Sequence, residues 1–176
     1  MDKEKTVCFS GYRPEKFSYS LSEKEPAYLE LRERTRQAII QARNEGYANF
    51  LCGMAQGFDL IAGNEILELM AKRPDMSGVK LIAVFPFEGH GRGFPSPWRE
   101  IRQMFLTKAA EVITLGSVYH AKHYLARDRY MVDHSSRLIC YYDGKKGGTE
   151  YTVKYAIERA LNIINIVEPI PFKPRD

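Results

Sequence analysis

Three short stretches of this chain hold residues suited to gripping an anion. Gly147-Gly148-Thr149 follows the apolar run Leu138-Ile139-Cys140-Tyr141-Tyr142 and precedes a helical pattern of Val153, Ala156, Ile157, Ala160 and Leu161. Glycines and a hydroxyl at a strand-to-helix junction turn backbone N–H groups and the positive end of a helix towards one point, as a phosphate site requires. Gly53-Met54-Ala55-Gln56-Gly57-Phe58-Asp59 repeats that build after the apolar run 48–52, with a carboxylate in its first helical turn. Asp59 there either caps its own helix or accepts from a sugar or base. Ser10-Gly11-Tyr12-Arg13-Pro14 closes a first strand, and Arg13 reads either as a phosphate or carboxylate contact or as a surface arginine in a turn.

Two common phosphate motifs are missing. Lys145 and Lys146 precede the glycine pair, so the loop is no Walker A, and no GxGxxG supports a conventional dinucleotide site. His90, His120, His123 and His134 have no metal-ligand spacing, so no metal is expected and no cofactor is implied.

The elements that must position these stretches follow from periodicity. Leu31, Thr35, Ala38, Ile39 and Ala42 mark one face of a helix ending at Gly46, with Arg32, Glu33, Arg34, Arg36 and Gln37 on its wet side. Phe58 to Leu69 forms a second helix, and the nearly unbroken apolar run 79–85 is a strand buried on both faces of a parallel sheet. The loop 86–98, with three glycines and three prolines, springs from that strand and is placed to cover a crevice. A third helix follows Trp98, a short strand spans 111–115, and a polar loop runs through His120 and His123.

Residues 124–134 form a charged helix, in which Arg127 and Asp128, as sequence neighbours, are expected on different faces, while Arg129 and Asp133 are spaced to pair. Strands at 138–142 and 162–167 complete the pattern. The expected fold is α/β: a single Rossmann-like three-layer domain over residues 1–168, with a mostly parallel sheet of about six strands, helices on both faces, and a C-terminal tail at 169–176.

Bulk properties bound the function. The 176 residues suffice for one well-filled core, and 44% hydrophobic with 27% charged composition describes a globular domain. A net charge of +4 permits nucleotide or nucleic-acid binding without requiring it. Cys8, Cys52 and Cys140 are isolated in apolar runs, with no secretory leader before Cys8, and read as buried thiols of a reducing compartment; a cytoplasmic protein without membrane spans is expected.

Together the three blocks resemble the Rossmann-like SLOG superfamily, which includes the DNA-processing protein DprA, the cytokinin-activating LOG enzymes and the YpsA/DUF1273 proteins. The YpsA branch is most similar, through an SGxRP start, a GxxxGxD block, an Arg-rich MVD helix and a DGxxGGTxxT loop. The resemblance implies a phosphate site lined by Gly53, Gly57, Gly147 and Gly148, with Ser10, Gly11, Arg13, Gln56, Asp59, Arg129 and Thr149 around it. The implied partner is a nucleotide or other phosphate-bearing small molecule, which the protein senses or processes. Relatives commonly pair, so a homo-oligomer is compatible.

Two alternatives come from the better-known relatives. LOG enzymes hydrolyse the N-glycosidic bond of nucleoside monophosphates with an Arg and a Glu near PGGxGTxxE and RKxxM segments. Arg127 and Met131 match the second segment, but Asp128 replaces its lysine, and Thr152 stands where the Glu belongs. On that reading Arg127 holds the phosphate and Glu150 substitutes as the carboxylate that stabilises ribose charge. DprA-like proteins bind single-stranded DNA and carry an RNR segment; here it is Arg127-Asp128-Arg129, whose carboxylate repels a phosphate backbone.

Overall fold

Strands buried on both faces belong inside a parallel sheet, away from its edges, and two of the apolar runs pair there. β1 (Thr6–Gly11) and β5 (Arg137–Tyr141) pair in parallel, Ser10 beside Cys140 and Gly11 beside Tyr141. In this computed structural model, which describes residues 1–167, β2 (Asn49–Cys52), β3 (Lys80–Phe85), β4 (Glu111–Thr114) and β6 (Asn162–Asn165) complete a six-stranded sheet of order β4-β3-β2-β1-β5-β6. Every pairing is parallel, including those expected only to be mostly so. The expected tail at 169–176, with Glu168 before it, lies outside the described residues.

Parallel neighbours need crossovers, and five helices supply them. α1 (Pro26–Asn44), α2 (Phe58–Lys72) and α3 (Trp98–Lys108) pack side by side as one layer; α4 (Lys122–Asp133) and α5 (Gly148–Glu158) form the other. The predicted apolar face of α1 is the buried one, Leu31, Thr35, Ala38, Ile39 and Ala42. Its wet side is less simple, because Arg32 and Arg36 both reach Glu65 of α2, a fully buried carboxylate. Two guanidinium groups compensate the desolvation of that one charge. Among the described residues no helix is long and apolar enough to cross a membrane.

Strand order reverses at β1: β2 to β4 build outward on one side of it, β5 and β6 on the other. In an open α/β sheet such a reversal leaves a crevice beyond the carboxyl ends of the two strands, because the following helices depart on opposite faces. All three sequence blocks lie at this end. Gly11 packs directly against Phe58, and a Cβ there would overlap the phenyl ring. Gly57 has φ of +91°, and a Cβ would strike the Tyr12 carbonyl oxygen. Gly57→Ala is therefore expected to lower stability by more than about 1 kcal/mol, read as a fall in Tm, whereas Gly46→Ala, with nothing within 4 Å of its Cβ, is expected to lose less.

Candidate functional site

The crevice at the strand-order reversal contains a cavity of about 280 Å³. Four elements contribute walls. The end of β1 and its turn supply Ser10, Gly11 and Arg13; α2 and the turn before it supply Ala55 and Asp59; α4 supplies Tyr124, Arg127 and Asp128; and α5 supplies Gly148 and Thr149. Gly147, with φ of +142°, holds the N-cap position of α5 and offers no side chain, so the first N–H groups of the helix, which have no intrahelical acceptor, have no capping side chain either.

Tyr12 sets the position of both helix starts. Its backbone carbonyl accepts from Phe58 N at 2.9 Å, using one N–H of the α2 terminus. Its hydroxyl donates to Asp143 Oδ1 at 2.6 Å and accepts from the N–H groups of Asp143 and Lys145 at 3.1 and 3.0 Å. The turn that delivers Gly147 and Gly148 is thus fastened to the end of β1. Lys16 Nζ donates to the Lys146 carbonyl at 2.6 Å, which brings an ammonium beside Gly147.

The floor is an ionic cluster. Arg127 and Asp128 are both buried and share a 2.7 Å bond from Nε to Oδ1, and a second Arg127 nitrogen donates to the Gly53 carbonyl. The expectation that these neighbours diverge is corrected: the long arginine side chain folds back to meet the aspartate. Arg129 and Asp133 do not pair either; Arg129 bonds the Tyr151 hydroxyl, and Asp133 faces Arg159 and Tyr155. Helix α4 starts at Lys122, so His123 lies in its first turn, beyond the expected loop.

Asp59 completes the floor. It is buried and accepts from the Ala55 N–H at 3.4 Å, in the turn before α2 rather than from a free N–H of the helix itself, while its carboxylate also lines the cavity. Gly53 is where this cluster closes up: its Cβ would lie 2.7 Å from Asp59 Oδ2 and 2.8 Å from an Arg127 nitrogen. Burial raises the Asp59 pKa to about 6, with Arg127 opposing and Asp128 reinforcing that rise.

The sequence-derived candidates divide accordingly. Ser10, Gly11, Arg13, Asp59, Arg127, Gly148 and Thr149 line the cavity. Gly53 and Gly57 shape its walls from behind, Gly147 holds the N-cap position of α5 without capping its N–H groups, and Gln56 faces an adjoining cavity. Arg129 and Glu150 lie outside it. The Glu150 carboxylate accepts from the Tyr142 hydroxyl at 3.0 Å and pairs with Lys154 at 3.4 Å. Tyr12, Lys16, Tyr124 and Asp128 also line the cavity; of these, Tyr12 belongs to the SGxRP start and Asp128 to the Arg-rich helix. Among the described residues no cluster of His, Cys, Asp and Glu is arranged to hold a metal.

The model of the YspA SLOG family, YpsA, matches residues 7–168. The chain belongs to this family. A UPF0398 protein of Staphylococcus haemolyticus is 26% identical over 167 residues, covering 92% of this chain and 85% of that protein. The SPbeta prophage-derived protein YoqJ of Bacillus subtilis is 25% identical over 146 residues, covering 76% of this chain and 84% of that protein. Among solved structures, DNA processing protein A of Helicobacter pylori, described for its single-stranded DNA binding mode, superposes with a TM-score of 0.60 at 16% identity, over 93% of this chain and 66% of that one. DprA of Streptococcus pneumoniae also gives 0.60, at 18% identity, over 93% of this chain and 50% of that one. This chain thus spans about two thirds and half of those two, and at such identities the likeness is one of fold.

The raised pKa of Asp59 has a thermodynamic consequence with a definite sign. Between its ordinary 3.8 and about 6 the folded state binds a proton that the unfolded state lacks, so stability falls as pH rises through that window. Above it the buried charge costs on the order of 3 kcal/mol. Asp59→Asn keeps the acceptor for Ala55 and removes the charge. It is expected to raise Tm at pH 7.5 and to change it little at pH 4, measured by calorimetric scans at the two pH values.

Proposed function

We propose that this SLOG-family domain binds a nucleotide or nucleotide derivative, sensing or processing it, with the phosphate at the start of α5. One observation carries the reading: the uncapped, glycine-led N-terminus of α5 and the basic turn after β1 face one cavity where the strand order reverses. Free N–H groups, the helix dipole, the Thr149 hydroxyl, Arg13 and Lys16 are the chemistry of a phosphate grip. The α2 terminus is the poorer candidate, because Tyr12 takes one of its N–H groups and the Asp59 carboxylate stands in its first turn.

Glycosidic hydrolysis of the LOG type draws less support. Glu150 is turned to Tyr142 and Lys154, and Arg127 is engaged by Asp128 and Gly53. Single-stranded DNA binding is favoured by a different observation. Lys16, which lines the cavity, and Lys145 lie over the Tyr12 ring at 5.8 and 5.6 Å, on a fold similar to DprA. That reading expects a labelled oligonucleotide to be retained at low salt and released steeply as salt rises, and no retention at low salt disposes of it.

The phosphate reading is tested with Gly148→Asp. A Cβ at Gly148 meets nothing within 4 Å, and a carboxylate in the first turn suits the helix, so the fold is preserved. By calorimetry the variant is expected to bind nucleoside monophosphates at least about tenfold more weakly than the parent, with an unchanged Tm. Equal affinities would remove α5 from the site.

A further inference from the structure

A second cavity, of about 320 Å³, adjoins the first and shares Arg13, Glu15, Ala55 and Tyr124 with it. Its character differs. Where the first is walled by a helix terminus and charges, the second is walled by Phe87, Phe94 and Tyr124, with the His90 imidazole among them and Gln56 at the edge. Five of the eleven residues that line it come from the glycine-rich loop between β3 and α3. Gly89 and Gly91 both take φ of +81°, which folds the loop back over the crevice.

His90 is the unusual member. It is only 6% exposed, and its ring meets those of Phe87, Phe94 and Tyr124 edge-on, at centroid distances of 5.4, 5.5 and 5.9 Å. Its Nδ1 is buried and has no hydrogen-bond partner among the described residues. Burial, together with the cations of Arg127, Arg13 and Arg102, lowers its pKa to about 3, so the ring is neutral and carries one donor and one acceptor. Leaving a polar nitrogen unpaired among aromatic rings costs stability that a phenyl ring would avoid.

Flat apolar walls with a few fixed polar groups are the chemistry that recognises a heterocycle. We infer that this second cavity is a nucleobase subsite: the base lies among Phe87, Phe94 and Tyr124, and the His90 imidazole and the Gln56 amide read its polar edge. Arg13, stacked on Tyr124 at 5.1 Å, stands at the boundary between base and phosphate. The inference rests on the phosphate reading of the first cavity and adds the class of ligand, a nucleoside monophosphate bound through both ends.

The test compares ribose 5-phosphate with AMP, GMP, CMP and UMP by calorimetry. The parent is expected to bind at least one nucleotide about tenfold or more tightly than ribose 5-phosphate. His90→Phe preserves ring packing and removes the nitrogens; it is expected to erase most of that preference, leave ribose 5-phosphate affinity unchanged, and hold or raise Tm. If His90→Phe fails to fold, Gln56→Ala at the cavity edge gives the same readout. A residue that merely packed would leave the ratio of the two affinities intact, and that result in both variants overturns the inference. Equal binding of all five ligands by the parent, with Gly148→Asp weakening all of them, overturns the base subsite and leaves the phosphate reading standing. Binding of none of the five removes both.

Discussion

The arrangement of the crevice depends on one side chain, Tyr12. It is buried at the end of β1, its carbonyl engages the start of α2, and its hydroxyl holds the side chain of Asp143 and two backbone N–H groups of the turn that leads into α5. Each such bond contributes a net 0.5–1.5 kcal/mol or so, but their geometric effect is larger. They join two helix termini to one strand end. The glycines at 11 and 57 are the other half of this constraint, because any side chain there would push Phe58 or Tyr12 away.

Charge is distributed unevenly around the cavity. Arg13, Glu15 and Lys16 line the cavity from the segment after β1, with Lys16 reaching the turn before α5, whereas the carboxylates Asp59 and Asp128 lie around Arg127. The Lys16 ammonium beside Gly147 favours an anion at the α5 terminus, whereas a carboxylate, Asp59, stands in the first turn of α2. The buried cluster also explains why Arg127 works as a brace. With Nε on Asp128 and another nitrogen on the Gly53 carbonyl, it ties α4 to the turn after β2. Removing either aspartate changes the charge of a site with little water to screen it.

Much of this was legible in the sequence. Alternating apolar runs and helical periods specify a parallel α/β sheet, and the three glycine blocks fall at the carboxyl ends of β1, β2 and β5, where chain turns must be tight. What escaped sequence reasoning depends on side-chain reach. Arg127 and Asp128 are about 100° apart around a helix, yet a four-bond guanidinium arm spans that angle. Glu150 lies two residues beyond Gly148, about 200° around α5, which carries it from the cavity to Tyr142. The resemblance that pointed to Glu150 and Arg129 preserved the order of residues but not their facing. His90 gave no local signal, since its setting is made by rings from the 86–98 loop and from α4, more than thirty positions on.

The claim on which the rest turns is that the α5 terminus grips a phosphate. Backbone amide NMR of the uniformly labelled protein, titrated with a nucleoside monophosphate, tests it most directly. Saturable shifts are expected to concentrate at Gly148, Thr149, Gly11 and Arg13, with the outer face of α5 around Tyr151 and Tyr155 unchanged. Shifts confined to that outer face, or none at millimolar nucleotide, would contradict it.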